Sequence, residues 1–200
     1  MRRALVLGPG GGAATAWLAG LITGLRREGV DLSAADLIVG TSAGALAAAL
    51  LATGVPLETL GAQERAELPR EADWPVRRLL IAAVDAESGA RTVFDIFGGV
   101  PLPAAVAASR AATIGGRRYG HAASANADLA ARAERVLVLD PLAVEAAPTI
   151  NPAAHTITPD ARSRAAASWS PSFHAGVRQA AATAAQAAEV WHGPRRRLAS

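Results

Sequence analysis

LIVGTSAG, residues 37–44, decides the fold: an apolar run ends in glycine, serine and glycine and passes into the alanine-rich residues 45–52. This order predicts a buried strand, a tight turn and a helix. A serine at such a turn lies on strained backbone at the carboxyl end of the strand, and flanking glycines let strand and helix pack closely. The pattern Gly40-x-Ser42-x-Gly44 thus predicts a nucleophile elbow; the alternative is an ordinary turn in which Ser42 caps the helix.

A strand, a glycine loop and a helix precede the elbow. Residues 4–7 are all apolar, which is typical of a strand buried on both faces of a parallel sheet. Gly8-Pro9-Gly10-Gly11-Gly12 follows directly. Apolar residues at three- and four-residue spacing then predict a helix over 13–28, which Gly29 ends. Together with the elbow strand, these elements form a right-handed crossover unit of a parallel sheet.

The rest of the pattern predicts one α/β domain over residues 1–193 and a basic tail over 194–200. The expected elements are a surface helix over 58–75 broken at Pro69, a hairpin of strands 79–84 and 92–94, a helix over 101–112, a second hairpin over 114–119, strands 136–139 and 156–157 with loop up to Pro171, and a long helix over 172–190. No internal repeat is found.

Composition excludes several classes of protein. Fifty-one per cent of the 200 residues are hydrophobic, so the chain is not disordered. The net charge is only +3 and the arginines form no stripe on one element, which argues against nucleic-acid binding; their only triple, Arg195-Arg196-Arg197, lies in the tail. The absence of cysteine excludes disulfides, thiolate metal sites and cysteine nucleophiles. With no secretory signal and no membrane-spanning run, the expected location is cytoplasmic, and peripheral membrane contact stays open.

The glycine loop allows two chemical interpretations. Gly10, Gly11 and Gly12 can present backbone N–H groups to the oxyanion of a tetrahedral intermediate. The loop also matches the dinucleotide fingerprint, which requires an acidic residue at the carboxyl end of the second strand. Asp31 has the expected spacing but precedes that strand, so the oxyanion interpretation is favoured.

The glycine loop and the elbow, about thirty residues apart, resemble the patatin-like phospholipase family. The likeness extends over "IAAVDAESGARTVF" (81–94), "TIGGRRY" (113–119) and "SANADLAARAERVLVL" (124–139), which are similar to bacterial members. The resemblance implies a three-layer α/β/α fold with a mainly parallel central sheet and a Ser-Asp dyad that hydrolyses lipid acyl esters. It implies no metal and no organic cofactor, Ser42 as nucleophile, and Gly10, Gly11 and Gly12 as the oxyanion loop.

The chain departs from the family pattern at the second dyad residue. The family's aspartate lies in an Asp-Gly-Gly or Asp-Gly-Ala motif shortly after the residue resembling Tyr119, and this chain contains no Asp-Gly. Residues 58–74 are also much shorter than the family's helical insertion, which helps to cover the acyl pocket. Pro9 and Ala14 replace customary glycines. The sequence therefore predicts weak or absent ester hydrolysis.

Four other polar residues are candidates for the missing base. His121 stands beside the gap and is the better-placed substitute, and Asp128 is the alternative, although we expect it in the first turn of a helix capped by Asn126. Asp140 ends a strand at the rim where ligands bind and, with His155, gives the order Ser…Asp…His. Three hypotheses remain: a patatin-type serine esterase acting on an acyl-ester or lipid substrate, a pseudoenzyme that binds acyl lipids, and a dinucleotide-binding protein.

Overall fold

The centre of the fold is a mainly parallel sheet, seen in a computed structural model that describes residues 2–143 and 154–193. Five strands run parallel in the order β3-β2-β1-β7-β8, and β4, β5 and β6 are antiparallel additions around β3. The strands are β1 (Arg3–Leu7), β2 (Leu37–Thr41), β3 (Arg78–Asp85), β4 (Arg91–Phe94), β5 (Thr113–Ile114), β6 (Arg117–Gly120), β7 (Arg135–Leu139) and β8 (Ala154–Ile157). The predicted α/β class, both hairpins and the short strand at 156–157 are confirmed.

Helices cover both faces of the sheet unequally. Residues alternate between the faces along each strand: Leu5 and Leu7 face one side, whereas Ala4 and Val6 face the other. The first face packs against the long helices and the second against a short segment around a 3₁₀ helix, Ala127–Ala130. The α-helices are α1 (Gly12–Arg27), α2 (Ala43–Ala52), α3 (Leu102–Ser109), α4 (Ala161–Ala165) and α5 (Trp169–His192). Within the described ranges, no helix combines the length and apolarity needed to cross a bilayer.

Strand β6 pairs with the same edge of β3 as β2 does, beyond the point where β2 ends at the elbow. Ala82 of β3 pairs with Thr41 of β2 on one side and with β4 on the other. Val84, two residues further along β3, pairs again with β4 and also with Gly120 of β6. Since a strand has only two edges, β6 lies on the same side of β3 as β2. It therefore begins where the chain turns away into α2.

The expected helix over 58–75 is wrong. Only a 3₁₀ helix, Leu57–Ala62, forms, and residues 63–75 contain turns without a helix. Leu57 and Leu60, three residues apart, are its buried side chains, a spacing that suits a 3₁₀ helix.

The expected loop up to Pro171 also contains a helix, the short α4. The Asp160 carboxylate accepts a hydrogen bond from the backbone N–H of Ser163 at 2.7 Å and thereby caps this helix. Helix α5 then begins at Trp169, so Pro171 lies in its first turn, where proline costs no helical hydrogen bond. The basic tail over 194–200 lies outside the described residues.

Helices α1 and α5 approach each other at glycines. A Cβ atom on Gly20 of α1 would lie 2.0 Å from the backbone oxygen of Phe173, and one on Gly176 of α5 would lie 2.4 Å from that of Trp17. These contacts involve backbone atoms, so a side-chain rotation cannot relieve them. The close approach requires glycine at both positions.

We predict that Gly20→Ala and Gly176→Ala each lower the free energy of unfolding by about 1–3 kcal/mol, because the helices must separate. This loss would exceed the roughly 1 kcal/mol that alanine gains over glycine in helix propensity. Urea denaturation followed by circular dichroism measures it. Gly120→Ala is the control, since a Cβ there meets no atom within 4 Å; equal stability of all three variants would contradict the close approach.

Candidate active site

Ser42 lies at a strained corner between β2 and α2. Its backbone has φ 53° and ψ −110°, a conformation that L-residues rarely adopt and that costs about 1–3 kcal/mol. The residue is 8% exposed. The predicted strand, tight turn and helix are present. Ser42 occupies the position before the first residue of α2, but its side chain makes no hydrogen bond that caps the helix.

The two elbow glycines are enforced by backbone contacts. A Cβ on Gly44 would lie 2.1 Å from the Leu7 carbonyl oxygen, and one on Gly40 would lie 2.6 Å from the Gly44 oxygen. The N–H of Gly44 donates to the Gly8 carbonyl at 3.1 Å, which ties the start of α2 to the end of β1. The elbow therefore packs directly against the glycine loop.

The glycine loop leads into the amino end of α1 beside Ser42. Gly11 precedes the helix, and Thr15 is the first residue whose N–H reaches back to it, at 3.0 Å. The N–H groups of Gly12 and the next two residues thus have no acceptor within the helix. A Cβ on Gly11 would meet no atom within 4 Å, so the space over the loop is open.

The Ser42 hydroxyl is bonded to the loop itself. Its Oγ donates to the Gly10 carbonyl at 3.2 Å. Within residues 2–143 and 154–193, no carboxylate or imidazole makes a hydrogen bond with Ser42 Oγ. The hydroxyl proton therefore points to a neutral carbonyl rather than to a base.

Gly120 and His121 lie directly beyond the elbow. Thr41 pairs with Ala82, and Gly120 pairs with Val84 on the same side of β3. The pairing positions of Thr41 and Gly120 are therefore two residues apart, about 7 Å along β3. β6 runs antiparallel to β3, so His121 follows at the level of Ser42. The His121 side chain is exposed, and no carboxylate orients it in the described part of the chain.

Asp128 is held in a network that passes beneath the elbow. Both of its carboxylate oxygens accept from Arg91 Nη1, at 2.8 and 2.7 Å. The same Nη1 donates to Asn126 Oδ1 at 3.2 Å, and Asn126 Nδ2 donates to Thr41 Oγ1 at 3.0 Å. Asp128 is thus the ion-pair partner of Arg91, and it is linked to Thr41, the residue before Ser42, only through Arg91 and Asn126.

The expectation that Asn126 caps a helix needs correction. Asp128 does lie in the first turn of the 3₁₀ helix Ala127–Ala130, but the Asn126 side chain makes no cap hydrogen bond. Its backbone adopts the left-handed conformation, φ 58° and ψ 40°, which asparagine tolerates better than most residues. That conformation turns the side chain toward Thr41.

The remaining candidates, Asp140 and His155, form no catalytic triad with Ser42. Asp140 lies against Gly8, but its Oδ1 accepts from the N–H groups of Leu142 and Ala143. His155 pairs with Leu137, in the body of β8, about three residues or 10 Å from the level of Asp140. The order Ser…Asp…His is therefore not assembled into a triad.

The dinucleotide interpretation fails on geometry. Asp31 caps a 3₁₀ helix, Leu32–Ala34, by accepting from the Ser33 N–H at 3.0 Å. Asp31 precedes β2 and so lies at the amino-terminal ends of the parallel strands, whereas the glycine loop lies at their carboxyl-terminal ends. The acid that should hold a ribose is absent from the carboxyl end of β2, where the elbow lies instead.

Two residues near the site were missed by sequence reasoning. Asp85 ends β3, and hydrogen bonds from the backbone N–H of Ser88, from the Ser88 hydroxyl and from the Glu87 N–H lower its pKa against the opposing effect of burial, with Arg117 also contributing. Such a carboxylate is a poor base. Ser109 is the second: its hydroxyl accepts from the Ser42 N–H at 2.7 Å. Its spacing offers no signal, because it ends an alanine-rich helix 67 residues away.

A cleft of about 440 Å³ opens beside the glycine loop. Gly11, Gly12, Trp17, Leu142 and Arg164 are among its lining residues. Most of the lining side chains are apolar or small, and Arg164 is the charged residue among them. In the described ranges, no three histidine or acidic residues group in a way that could hold a metal ion.

The mainly parallel sheet, with Ser42 at a strand-to-helix corner beside the glycine loop, makes the chain an α/β protein. Residues 5–188 match the family model of the patatin-like phospholipases. The chain therefore belongs to the patatin-like phospholipase family, and this membership supports a lipid acyl hydrolase kind of function. A search of curated proteins found no match.

We predict that Arg91→Ala and Asp128→Ala each have small effects on stability, below about 1 kcal/mol, and that the double variant adds little. Both side chains are partly exposed, at 41% and 34%. The effect of Arg91→Ala should be the larger, because Arg91 also donates to Asn126. Urea denaturation of the four proteins measures the coupling. Ester hydrolysis should also respond alike to both single changes, whereas a loss of roughly 10²-fold or more in Asp128→Asn alone would identify Asp128 as the base.

Proposed function

We propose that the chain is a serine acyl-ester hydrolase for lipid or lysophospholipid esters, with Ser42 as nucleophile and Gly10, Gly11 and Gly12 as the oxyanion loop. The observation that carries the proposal is the strained Ser42 backbone, φ 53°, with its Oγ 3.2 Å from the loop. Strain at an elbow is retained where it exposes a reacting group. The cleft beside Gly11 and Gly12 offers room for part of a lipid substrate.

The proposed reaction follows from these positions. Ser42 Oγ attacks the ester carbonyl carbon and loses its proton. The carbonyl oxygen becomes an oxyanion that accepts hydrogen bonds from the N–H groups of the loop. Collapse expels the alcohol with a proton and leaves an acyl-serine, which water hydrolyses. The dipole of the 16-residue helix α1 favours the oxyanion, because its amino end carries partial positive charge.

Removal of the serine proton is the step for which the described residues show no base hydrogen-bonded to Ser42 Oγ. A positioned base contributes roughly 10²- to 10⁴-fold, and Ser42 Oγ has only the Gly10 carbonyl as a hydrogen-bond partner in the described ranges. His121 follows β6 at the level of Ser42, which supports it as a weak substitute. We therefore propose slow turnover of short esters rather than the rate of a complete dyad.

A catalytically inactive binding protein is the second candidate. It is favoured by the same hydrogen bond, since a hydroxyl that donates to a carbonyl is not activated. On this alternative, the elbow, glycine loop and cleft would bind an acyl lipid without cleaving it. The two candidates differ in one measurable property, the turnover that depends on Ser42.

We predict that a fluorophosphonate probe labels Ser42 and that short p-nitrophenyl esters are hydrolysed slowly. Ser42→Ala should abolish both, because Ser42 is the only hydroxyl residue with positive φ in the described ranges. His121→Ala should reduce turnover if His121 takes the proton, and His155→Ala is the matched control. Labelling that survives Ser42→Ala would refute the nucleophile, and labelling without any turnover would favour the binding protein.

We predict that Gly120→Asp increases ester hydrolysis by roughly 10²- to 10⁴-fold, because it places a carboxylate where β6 meets the elbow. A Cβ at Gly120 meets no atom within 4 Å, and the residue does not need positive φ, so the change fits. Gly120→Asn is the matched control, with the same size and no basic group. Equal rates for both variants would mean that this position does not serve Ser42.

A further inference from the structure

We propose that Ser109 is a positioning residue that holds the Ser42 backbone in its strained conformation and so sets the direction of the nucleophilic hydroxyl. The inference rests on the proposed function and concerns the same site. Ser109 would not touch the substrate. Its effect is transmitted through the backbone N–H of Ser42.

The Ser109 hydroxyl bridges the elbow and the neighbouring strand. It accepts from the Ser42 N–H at 2.7 Å and donates to the Ala82 carbonyl at 2.6 Å. Ser109 is 0% exposed, so water cannot replace either contact. Ala82 is paired with Thr41, the residue before Ser42, so the bridge spans the elbow at its base.

A hydroxyl is required because both of its functions are used. With φ 53°, the Ser42 N–H leaves the direction of the strand and needs an acceptor from elsewhere. Donation to Ala82 fixes the Ser109 proton, which leaves an oxygen lone pair for Ser42. Alanine supplies neither contact, cysteine supplies weak ones, and threonine keeps both.

This contact also limits which groups can bind an oxyanion. The Ser42 N–H is occupied by Ser109 and is not available to the substrate. The remaining donors beside the hydroxyl are the N–H of Ala43 and those of the glycine loop, whose helix has free first-turn N–H groups. Ser109 thereby separates the amide that holds the elbow from the amides that face the substrate.

The test uses the full chain and two readouts, the rate of Ser42 labelling by a fluorophosphonate and the hydrogen exchange of the Ser42 amide. In Ser109→Ala we expect the maximal labelling rate to fall about 10- to 100-fold with unchanged probe affinity, as for a displaced reacting group. Protection of the Ser42 amide should fall at the same time. Ser109→Thr should restore both readouts to within about threefold.

Trp191→Phe is the control for loss of a buried hydrogen bond far from the elbow. Trp191 is 0% exposed and its Nε1 donates to the Asp31 carbonyl at 2.9 Å. This variant should lose stability and keep both readouts. If Ser109→Ala keeps the labelling rate and the Ser42 amide protection of the wild-type protein, the inference is overturned.

If Ser109→Ala does not fold, the wild-type protein, Ser109→Thr and Ser109→Cys are compared instead. We expect labelling rate and amide protection to be highest in the wild-type protein, slightly lower in Ser109→Thr and lowest in Ser109→Cys. Equal values for the wild-type protein and Ser109→Cys would overturn the inference. Absence of labelling in the wild-type chain would instead refute the proposed function. In that case amide exchange still tests the Ser109 contact, because it does not depend on catalysis.

Discussion

The contact between Gly44 and the backbone of Leu7 is the constraint on which the rest of the structure depends. Only hydrogen fits at Gly44, because a Cβ would lie 2.1 Å from the Leu7 carbonyl oxygen. This contact allows α2 to start against the end of β1, with the Gly44 N–H bonded to Gly8. As a result, the glycine loop and the elbow serine lie together, and the close packing of α1 and α5 behind them follows from further glycines.

Three contacts hold the elbow, although no carboxylate or imidazole in the described ranges makes a hydrogen bond with the Ser42 hydroxyl. Gly8 accepts from the start of α2, Ser109 accepts from the Ser42 N–H, and Asn126 donates to Thr41. None of these contacts needs an aspartate after Tyr119. The architecture is therefore in place without an Asp-Gly motif, with β6 lying beyond the end of β2.

Where sequence reasoning was wrong, a tertiary contact or a local spacing had a stronger effect than the pattern. The polar segment after Leu57 forms only a 3₁₀ turn because its anchors are three residues apart. Asn126 has the residue type of a helix cap, but its amide binds Thr41, 85 residues away in the chain. Asp128 stays a candidate base, and its ion pair with Arg91, 37 residues away, is a contact that its sequence position does not indicate.

The amino-acid sequence by itself determined the strands of the sheet, the helices α1, α2, α3 and α5, the strand-to-helix corner at Ser42, the glycine loop and the absence of an Asp-Gly motif. These features depend on local periodicity and on residues within a few positions of one another. Only the tertiary structure decided that Ser109 binds the elbow, that Asn126 supports Thr41, and that His155 lies apart from Asp140. The physical reason is that such contacts join residues many positions apart, and their distances depend on strand register, which no local pattern encodes.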